Sequence, residues 1–101
     1  MIARTWHGIT RAVDADRYAD VINRTGTPHY RATPGNRAVY LLRRVEGDRA
    51  HFLVLTLWDS FDAIRAFAGP DPERAVYYPE DKDFLLEFEP TVTHYEVLVS
   101  P

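Results

Sequence analysis

The chain contains no cysteine, which excludes disulfides, thiolate metal ligands and a cysteine nucleophile. Its twelve basic residues form no block, and its net charge of −3 argues against a nucleic-acid partner. No apolar run is long enough to cross a membrane, and the opening segment MIARTWHGIT lacks the apolar stretch of a signal peptide. We therefore expect a cytoplasmic protein with no nucleic-acid or membrane partner.

Motifs that hold metals or phosphates are also missing. No His-x-x-x-His pair or carboxylate–histidine cluster has the spacing of metal ligands, so no metal site is expected. A nucleophile elbow and a phosphate-binding glycine loop are absent as well. The 101 residues are 46% hydrophobic and 13% aromatic, which is enough for a small core, so we expect a single domain over residues 1–101.

Residues 51–67, HFLVLTLWDSFDAIRAF, combine a strand and a helix without a linker. The first half is apolar at nearly every position, which is typical of a strand covered on both faces. In the second half apolar residues recur at helical spacing after a cap at Asp59 or Ser60, and Gly69 ends the helix. Something must therefore cover the second face of this strand.

The remaining elements give a βαββαβ order. They are predicted as a strand (1–7), a helix that begins at Asp14 or Asp16 and ends near residue 25, a long ordered loop (25–36), a strand (37–45), a hairpin turn (46–48), a short helical piece (73–78) and a last strand (91–99). Right-handed crossovers then place both helices on one face of a four-stranded antiparallel sheet, which is an α+β, ferredoxin-like sandwich. The uncovered sheet face predicts a homodimer, with a monomer as the alternative.

Several short segments resemble the antibiotic biosynthesis monooxygenase-like family over almost the whole chain. They are TLW in the central strand, SFDAIRAF at the helix start, YYPED after it, MIARTWHG at the beginning and YRATPGNR before the second strand. The resemblance implies a dimeric α/β barrel with a pocket between the helices and the sheet of each subunit. The fold alone does not fix the function, since this scaffold carries many activities.

The activity that the resemblance implies is a cofactor-independent monooxygenase acting on a small aromatic or quinol compound. One alternative is a small-molecule-binding or stress-response dimer without turnover, and another is a haem-binding or haem-degrading oxygenase. In the haem-degrading branch an Asn, a Trp and an iron-ligating His stand where this chain has His7, Phe67 and Tyr77. Because all three positions depart from that pattern, haem stays an alternative, supported by the ability of Tyr to ligate haem iron.

Oxygenation of a phenol needs a proton acceptor, a polar group for the oxyanion and an apolar box for the ring. His7 is the candidate base, because imidazole titrates near neutrality. Placing His7 in the pocket turns Trp6 towards the dimer interface, and a register slip of one residue would exchange the two. The structural alternative for His7 is a hydrogen-bonded residue at the edge of the first strand.

Tyr77 and Tyr78 are the other catalytic candidates, since their phenols can hydrogen-bond a substrate oxygen, and Arg74 can stabilise an anion. The alternative is that the two tyrosines only anchor an irregular segment on the core, beside the solvated Glu80 and Asp81. Aromatic residues expected to line a substrate-binding box, or else to form plain core, are Tyr40, Trp58, Phe61, Phe67 and Phe84. The polar strand residues Arg4, His51 and His94 are expected to pair across the interface or, for His51, to be exposed.

Overall fold

The computed structural model describes all residues, 1–101, and contains one four-stranded sheet with three helices. In chain order the elements are β1 (Ile2–Arg11), α1 (Ala15–Arg24), α2 (Gly26–Ala32), β2 (Asn36–Glu46), β3 (Arg49–Trp58), α3 (Phe61–Ala68) and β4 (Thr93–Glu96). The strand order is β2-β3-β1-β4 and every pairing is antiparallel. The helices pack on one face of this sheet, which confirms the predicted ferredoxin-like α+β fold. No helix is long and apolar enough to cross a membrane.

The side chains of the central strand β3 alternate between the two faces of the sheet. Its buried residues Phe52, Val54 and Trp58 pack beneath the helices as part of the hydrophobic core. The alternate positions Leu53 and Leu55 are only half-buried, because no element of the chain covers that side. The apolar residues of this strand therefore contribute both to the core and to the uncovered side of the sheet. We call this uncovered side the open face.

Helix α3 begins and ends as the sequence predicts. The Ser60 hydroxyl accepts a hydrogen bond from the Ala63 N–H at 3.2 Å, which caps the first turn. Gly69 ends the helix with a φ of 99°, a conformation that favours glycine. The buried face of the helix, which includes Ile64 and Phe67, then packs on β3 and α2.

The predicted loop at 25–36 is wrong over most of its length, because residues 26–32 form helix α2. Pro28 is the third residue of this helix, where the backbone N–H has no intrahelical acceptor, so proline is tolerated. Tyr30 is buried beneath the helix and stacks on Phe67 with ring centroids 4.3 Å apart. Tertiary packing therefore stabilises a helix that the local glycine and proline content argues against.

Three other segments also differ from the sequence predictions. The last strand is shorter than the predicted 91–99 and comprises Thr93–Glu96. Strand β1 continues past Gly8, because Gly8 leaves room for the Trp6 indole: a Cβ there would lie 2.3 Å from the Trp6 ring. The segment 73–78 is extended rather than helical, and Arg74 forms an antiparallel bridge with Thr91. A short 3-10 helix, Pro79–Asp83, follows it. Prolines on both sides of this segment disfavour a helix there.

Candidate functional site

The candidate site is a small pocket between the sheet and helices α1 and α2, with a volume of about 20 Å³, which is room for about one water molecule. Its walls are largely aromatic or aliphatic, with polar groups on one side; the lining residues are Trp6, Tyr18, Ile22, Thr25, Gly26, Tyr30, Val54, Val76, Tyr78 and Asp81. This combination of apolar walls and a few converging polar groups is typical of small-ligand sites.

The indole of Trp6 lines the pocket and its Nε1–H is buried without a hydrogen-bond partner. The expectation that His7 faces the pocket and Trp6 the other side is therefore wrong. Trp6 pairs with Val54 of β3, which shares the helix-covered face, so the alternation along β1 turns His7 to the open face.

On the open face, His7 belongs to a separate polar group. Its Nδ1 lies 2.5 Å from the Glu89 carboxylate, and its Nε2 lies 3.2 Å from Nδ1 of His51. His7 and His51 line a second, larger hollow of about 300 Å³ together with Arg43 and Arg44. The sheet lies between His7 and the pocket, so His7 and Tyr78 do not meet at one site.

Tyr78 is the catalytic candidate that lies in the pocket wall. Its phenol oxygen is 2.7 Å from Nδ1 of His29, an exposed residue of α2. Burial raises the pKa of the Tyr78 phenol, and the neighbouring Tyr30 raises it further. Sequence reasoning missed His29, because the segment that carries it was interpreted as a loop. The Tyr78–His29 contact places a phenol and a proton acceptor together at the pocket edge.

Tyr77 does not line the pocket and has a packing role instead. Its hydroxyl donates to the Glu89 carbonyl at 2.5 Å, and its ring packs edge-on against Trp6 and Phe88. Burial raises the pKa of the Tyr77 phenol. Tyr77 therefore packs on the side of Trp6 that faces away from the pocket. The adjacent residue Tyr78, in contrast, lines the pocket.

Asp81 is buried in the pocket wall, and not a solvated cap as the sequence suggests. One carboxylate oxygen accepts from the Tyr18 hydroxyl at 3.0 Å, and the other accepts from the Tyr78 backbone N–H at 2.7 Å. Burial raises the pKa of Asp81, although both hydrogen bonds oppose the rise. Sequence reasoning missed Asp81 and Tyr18, because nothing local distinguishes them from an ordinary cap and an ordinary core residue.

Arg4 does not line the pocket and is 1% exposed. One guanidinium nitrogen donates to the Arg74 carbonyl at 2.8 Å, and the guanidinium carbon lies 5.4 Å from the centroid of the Phe67 ring. Its Nε has no partner, and none of the ion pairs of the chain includes Arg4. Burial lowers the pKa of Arg4, and the nearby phenols of Tyr30 and Tyr78 oppose that change.

Two predicted box residues, Trp58 and Phe67, belong to the core. The Trp58 indole N–H donates to the Thr56 hydroxyl at 2.8 Å, which satisfies it away from the pocket. Phe67 is covered by the rings of Tyr30 and His29, with centroids 4.3 and 4.4 Å away. The interpretation as plain core therefore describes both residues, and neither lines the pocket.

The other predicted substrate-binding residues also lie outside the pocket. Tyr40 is 51% exposed and pairs with Leu55 on the open face. Phe84 packs against Tyr18 with ring centroids 5.6 Å apart. The exposed Arg74 directs its guanidinium to the Ala68 carbonyl at 3.0 Å and contributes its own carbonyl to Arg4. The predictions for Tyr40 and Phe84 are wrong because aromatic character alone does not show which side chains face a cavity.

No protein-family model matches the chain, and no curated protein matches it significantly. Solved structures do match over the full length. One is the haem degrader MhuD from Mycobacterium tuberculosis with two haems bound in its active site, at 19% identity and a TM-score of 0.66, covering 100% of this chain and 99% of that chain. Another is a mutant of MhuD with two manganese protoporphyrin IX molecules bound per active site, at 20% identity and a TM-score of 0.63, covering 100% and 98%.

Similarity at this level of identity establishes the fold, which is that of a haem-degrading protein. It also corrects one expectation drawn from the sequence. The expected absence of a cofactor is contradicted by these neighbours, since both bind a porphyrin.

Proposed function

We propose that the protein is a haem-binding oxygenase of the antibiotic biosynthesis monooxygenase-like group, with the porphyrin held in the pocket between α1, α2 and the sheet. The observation that carries this proposal is the Tyr78–His29 contact of 2.7 Å at the edge of an aromatic pocket. The full-length similarity to a haem degrader supports it.

The donor set of the pocket fits a haem. Tyrosine is a known axial ligand of haem iron, and it binds as the phenolate. Burial raises the pKa of Tyr78, so the phenol needs a proton acceptor, and His29, whose Nδ1 contacts the phenol oxygen, can take the proton before α2 moves. Trp6 and Tyr30 supply flat apolar walls beside it. Haem, when bound, would supply the iron at which dioxygen is activated.

The width of the pocket requires helix α2 to move when a porphyrin binds. Its volume of about 20 Å³ is far below the usual range for ligand sites, roughly 300–1,000 Å³, so the pocket is closed in the ligand-free protein. Helix α2 has only seven residues, and its contact with α3 rests largely on Tyr30 and His29 against Phe67. We therefore propose that α2 swings outwards to admit the porphyrin, which exposes Phe67 to the ligand.

The test is a titration of the purified protein with haemin, followed by the Soret band. Wild type should give a saturable shift, while Tyr78→Phe should bind at least about tenfold more weakly because it loses the iron ligand. His29→Ala should move the same transition to higher pH, because the phenol then loses its proton acceptor. The matched control is Tyr40→Phe, which removes a phenol from the open face and should leave the titration unchanged.

The proposal is overturned if haemin gives no saturable Soret change. It is equally overturned if Tyr78→Phe and His29→Ala both bind haemin as wild type does, since the ligand would then lie elsewhere. Amide hydrogen exchange adds an independent readout: residues 26–32 should lose protection on haemin binding if α2 swings outwards.

The second candidate is a protein that binds a small aromatic compound without turnover, which requires less opening of the pocket than a porphyrin does. Oxygen uptake with dihydroxynaphthalene substrates distinguishes this binding protein from the cofactor-independent monooxygenase that the sequence resemblance implies. Tight binding of such compounds without oxygen uptake, and without a haemin Soret shift, would establish this second function. Oxygen uptake above the rate of the free compound would exclude it.

We also propose that the protein is a homodimer formed through the open face. This face carries half-buried or exposed apolar residues from all four strands, including Tyr40, Leu42, Leu53, Leu55 and Tyr95. A surface of this kind on a small sheet is typical of an interaction site. Sedimentation of wild type and Leu55→Arg tests it, and a monomeric wild type at micromolar concentration would contradict it.

A further inference from the structure

Arg4 is a buried cation for which the chain provides no anion. It is 1% exposed, its Nε is unpartnered, and its one hydrogen bond to protein goes to a neutral carbonyl, that of Arg74. The side chain opposite it on β4, His94, is a base rather than an acid. A buried charge without a partner is costly, so such residues normally pair with a carboxylate or bind one from outside.

The anion cannot come from a second copy docked on the open face. Arg4 pairs with Thr56 of β3, and both are buried on the side that the helices cover. The sheet therefore separates Arg4 from anything bound to the open face. The ligand pocket is on the same side as Arg4, and its lining residues Tyr30 and Tyr78 are the phenols that raise the pKa of the guanidinium.

The acidic residue in the pocket wall does not serve as this partner either. Both oxygens of Asp81 are already engaged, one by the Tyr18 hydroxyl and one by the Tyr78 backbone N–H. No ion pair joins Asp81 to Arg4. The guanidinium therefore has no carboxylate partner in the chain, and the Tyr30 phenol, which lines the pocket, lies next to it.

We propose that Arg4 is the counter-cation for an acidic group of the ligand, so that the pocket selects planar aromatic acids over neutral rings of the same shape. This deepens the proposed function, on which it rests for the position of the pocket but not for the presence of iron. The carboxylate of the ligand sits beside the hydroxyls of Tyr30 and Tyr78, and its charge is balanced by the guanidinium behind them. A haem propionate and the carboxylate of a small aromatic acid share this chemistry.

The experiment compares two acid–ester pairs that contain no metal: deuteroporphyrin IX with its dimethyl ester, and naphthoate with its methyl ester. Quenching of tryptophan fluorescence reports binding, since Trp6 lines the pocket. Wild type should bind the acid of each pair about tenfold or more tightly than the ester, as expected for a charge-assisted contact. Arg4→Met should reduce this preference below about twofold, and Arg4→Lys should retain part of it.

The control variant is Arg31→Met, which removes the same charge from the exposed surface of α2 and should keep the full preference for the acid. If porphyrins fail to bind while naphthoate shows a preference that depends on Arg4, the inference stands and the haem proposal fails. If porphyrins bind but the acid and ester bind equally, or Arg4→Met keeps the preference, the inference is overturned and the haem proposal stands. Absence of binding for all four probes overturns both. Should Arg4→Met not fold, Arg4→Lys and the wild-type ratio decide the outcome.

Discussion

Replacing Arg4 by methionine should make the ligand-free protein more stable. The guanidinium is 1% exposed and unpaired, and removing an ion from water costs several kcal/mol even after relaxation. Two contacts offset that cost: the hydrogen bond to the Arg74 carbonyl, about 1.5–3 kcal/mol, and the contact with the Phe67 ring, about 2 kcal/mol. Methionine keeps the apolar contact and needs no counter-charge.

The expected net gain in the free energy of unfolding is about 1–3 kcal/mol, within the range seen when buried charges are replaced by apolar residues. Urea unfolding at neutral pH measures it, with Arg31→Met as the control that should change the free energy by no more than about 0.5 kcal/mol. The melting temperature should rise by about 4–8 °C for each kcal/mol gained.

A loss of more than about 1 kcal/mol in Arg4→Met, with Arg31→Met unchanged, would refute the reasoning. It would mean that the surroundings of Arg4 already satisfy its charge, and that no ligand anion is needed. Ligand binding offers a second check, because an acidic ligand should stabilise wild type more than Arg4→Met at equal concentration.

Three further predictions concern the pocket wall and the helix that follows β3. Burial raises the pKa of Asp81 above its ordinary 3.8, so the folded protein holds this proton more tightly than the unfolded chain. Stability should therefore fall as pH rises from about 4 through the folded pKa, and Asp81→Asn should flatten that part of a urea-unfolding pH series; an unchanged slope would contradict the assignment. Gly8→Ala forces a Cβ to within 2.3 Å of the Trp6 ring, so it should cost about 1–3 kcal/mol and shift Trp6 fluorescence, whereas a wild-type spectrum would show that the indole has room. Ser60→Ala removes the cap on α3 and should cost about 1 kcal/mol, restored by Ser60→Asp; equal stability of all three proteins would exclude a capping role.

The sequence predicts the fold well where local pattern and tertiary packing agree. The change from a strand period to a helical period at residues 51–67 locates both β3 and α3, because the cap at Ser60 and the stop at Gly69 are local chemistry. Helix α2 is missed because its stability comes from Tyr30 packing on Phe67, a contact between segments distant in sequence. The local glycine and proline content does not predict that contact.

The site is predicted less well, because it depends on which way each side chain points. Tyr78 is the one catalytic candidate that lines the pocket, while its neighbour Tyr77 packs behind Trp6. His7 fails through strand register: alternation fixes that Trp6 and His7 face opposite sides but not which side each faces. The side that each residue faces follows from the pairing of β1 with β3. Gly8 is compatible with an inward Trp6, because it has no side chain to meet the indole.

The alternation along β1 and β3 also sets how this protein can change over evolutionary time. Adjacent residues such as Trp6 and His7, or Val54 and Leu55, contribute to surfaces on opposite sides of one sheet. If the proposed dimer and ligand pocket exist, substitutions at the outward positions would change self-association without changing ligand selectivity, and substitutions at the inward positions would do the reverse. The two properties would then depend on alternate residues of the same ten-residue strand, β1, and selection could act on each of them almost independently. A new ligand preference could arise without a compensating change in the proposed dimer.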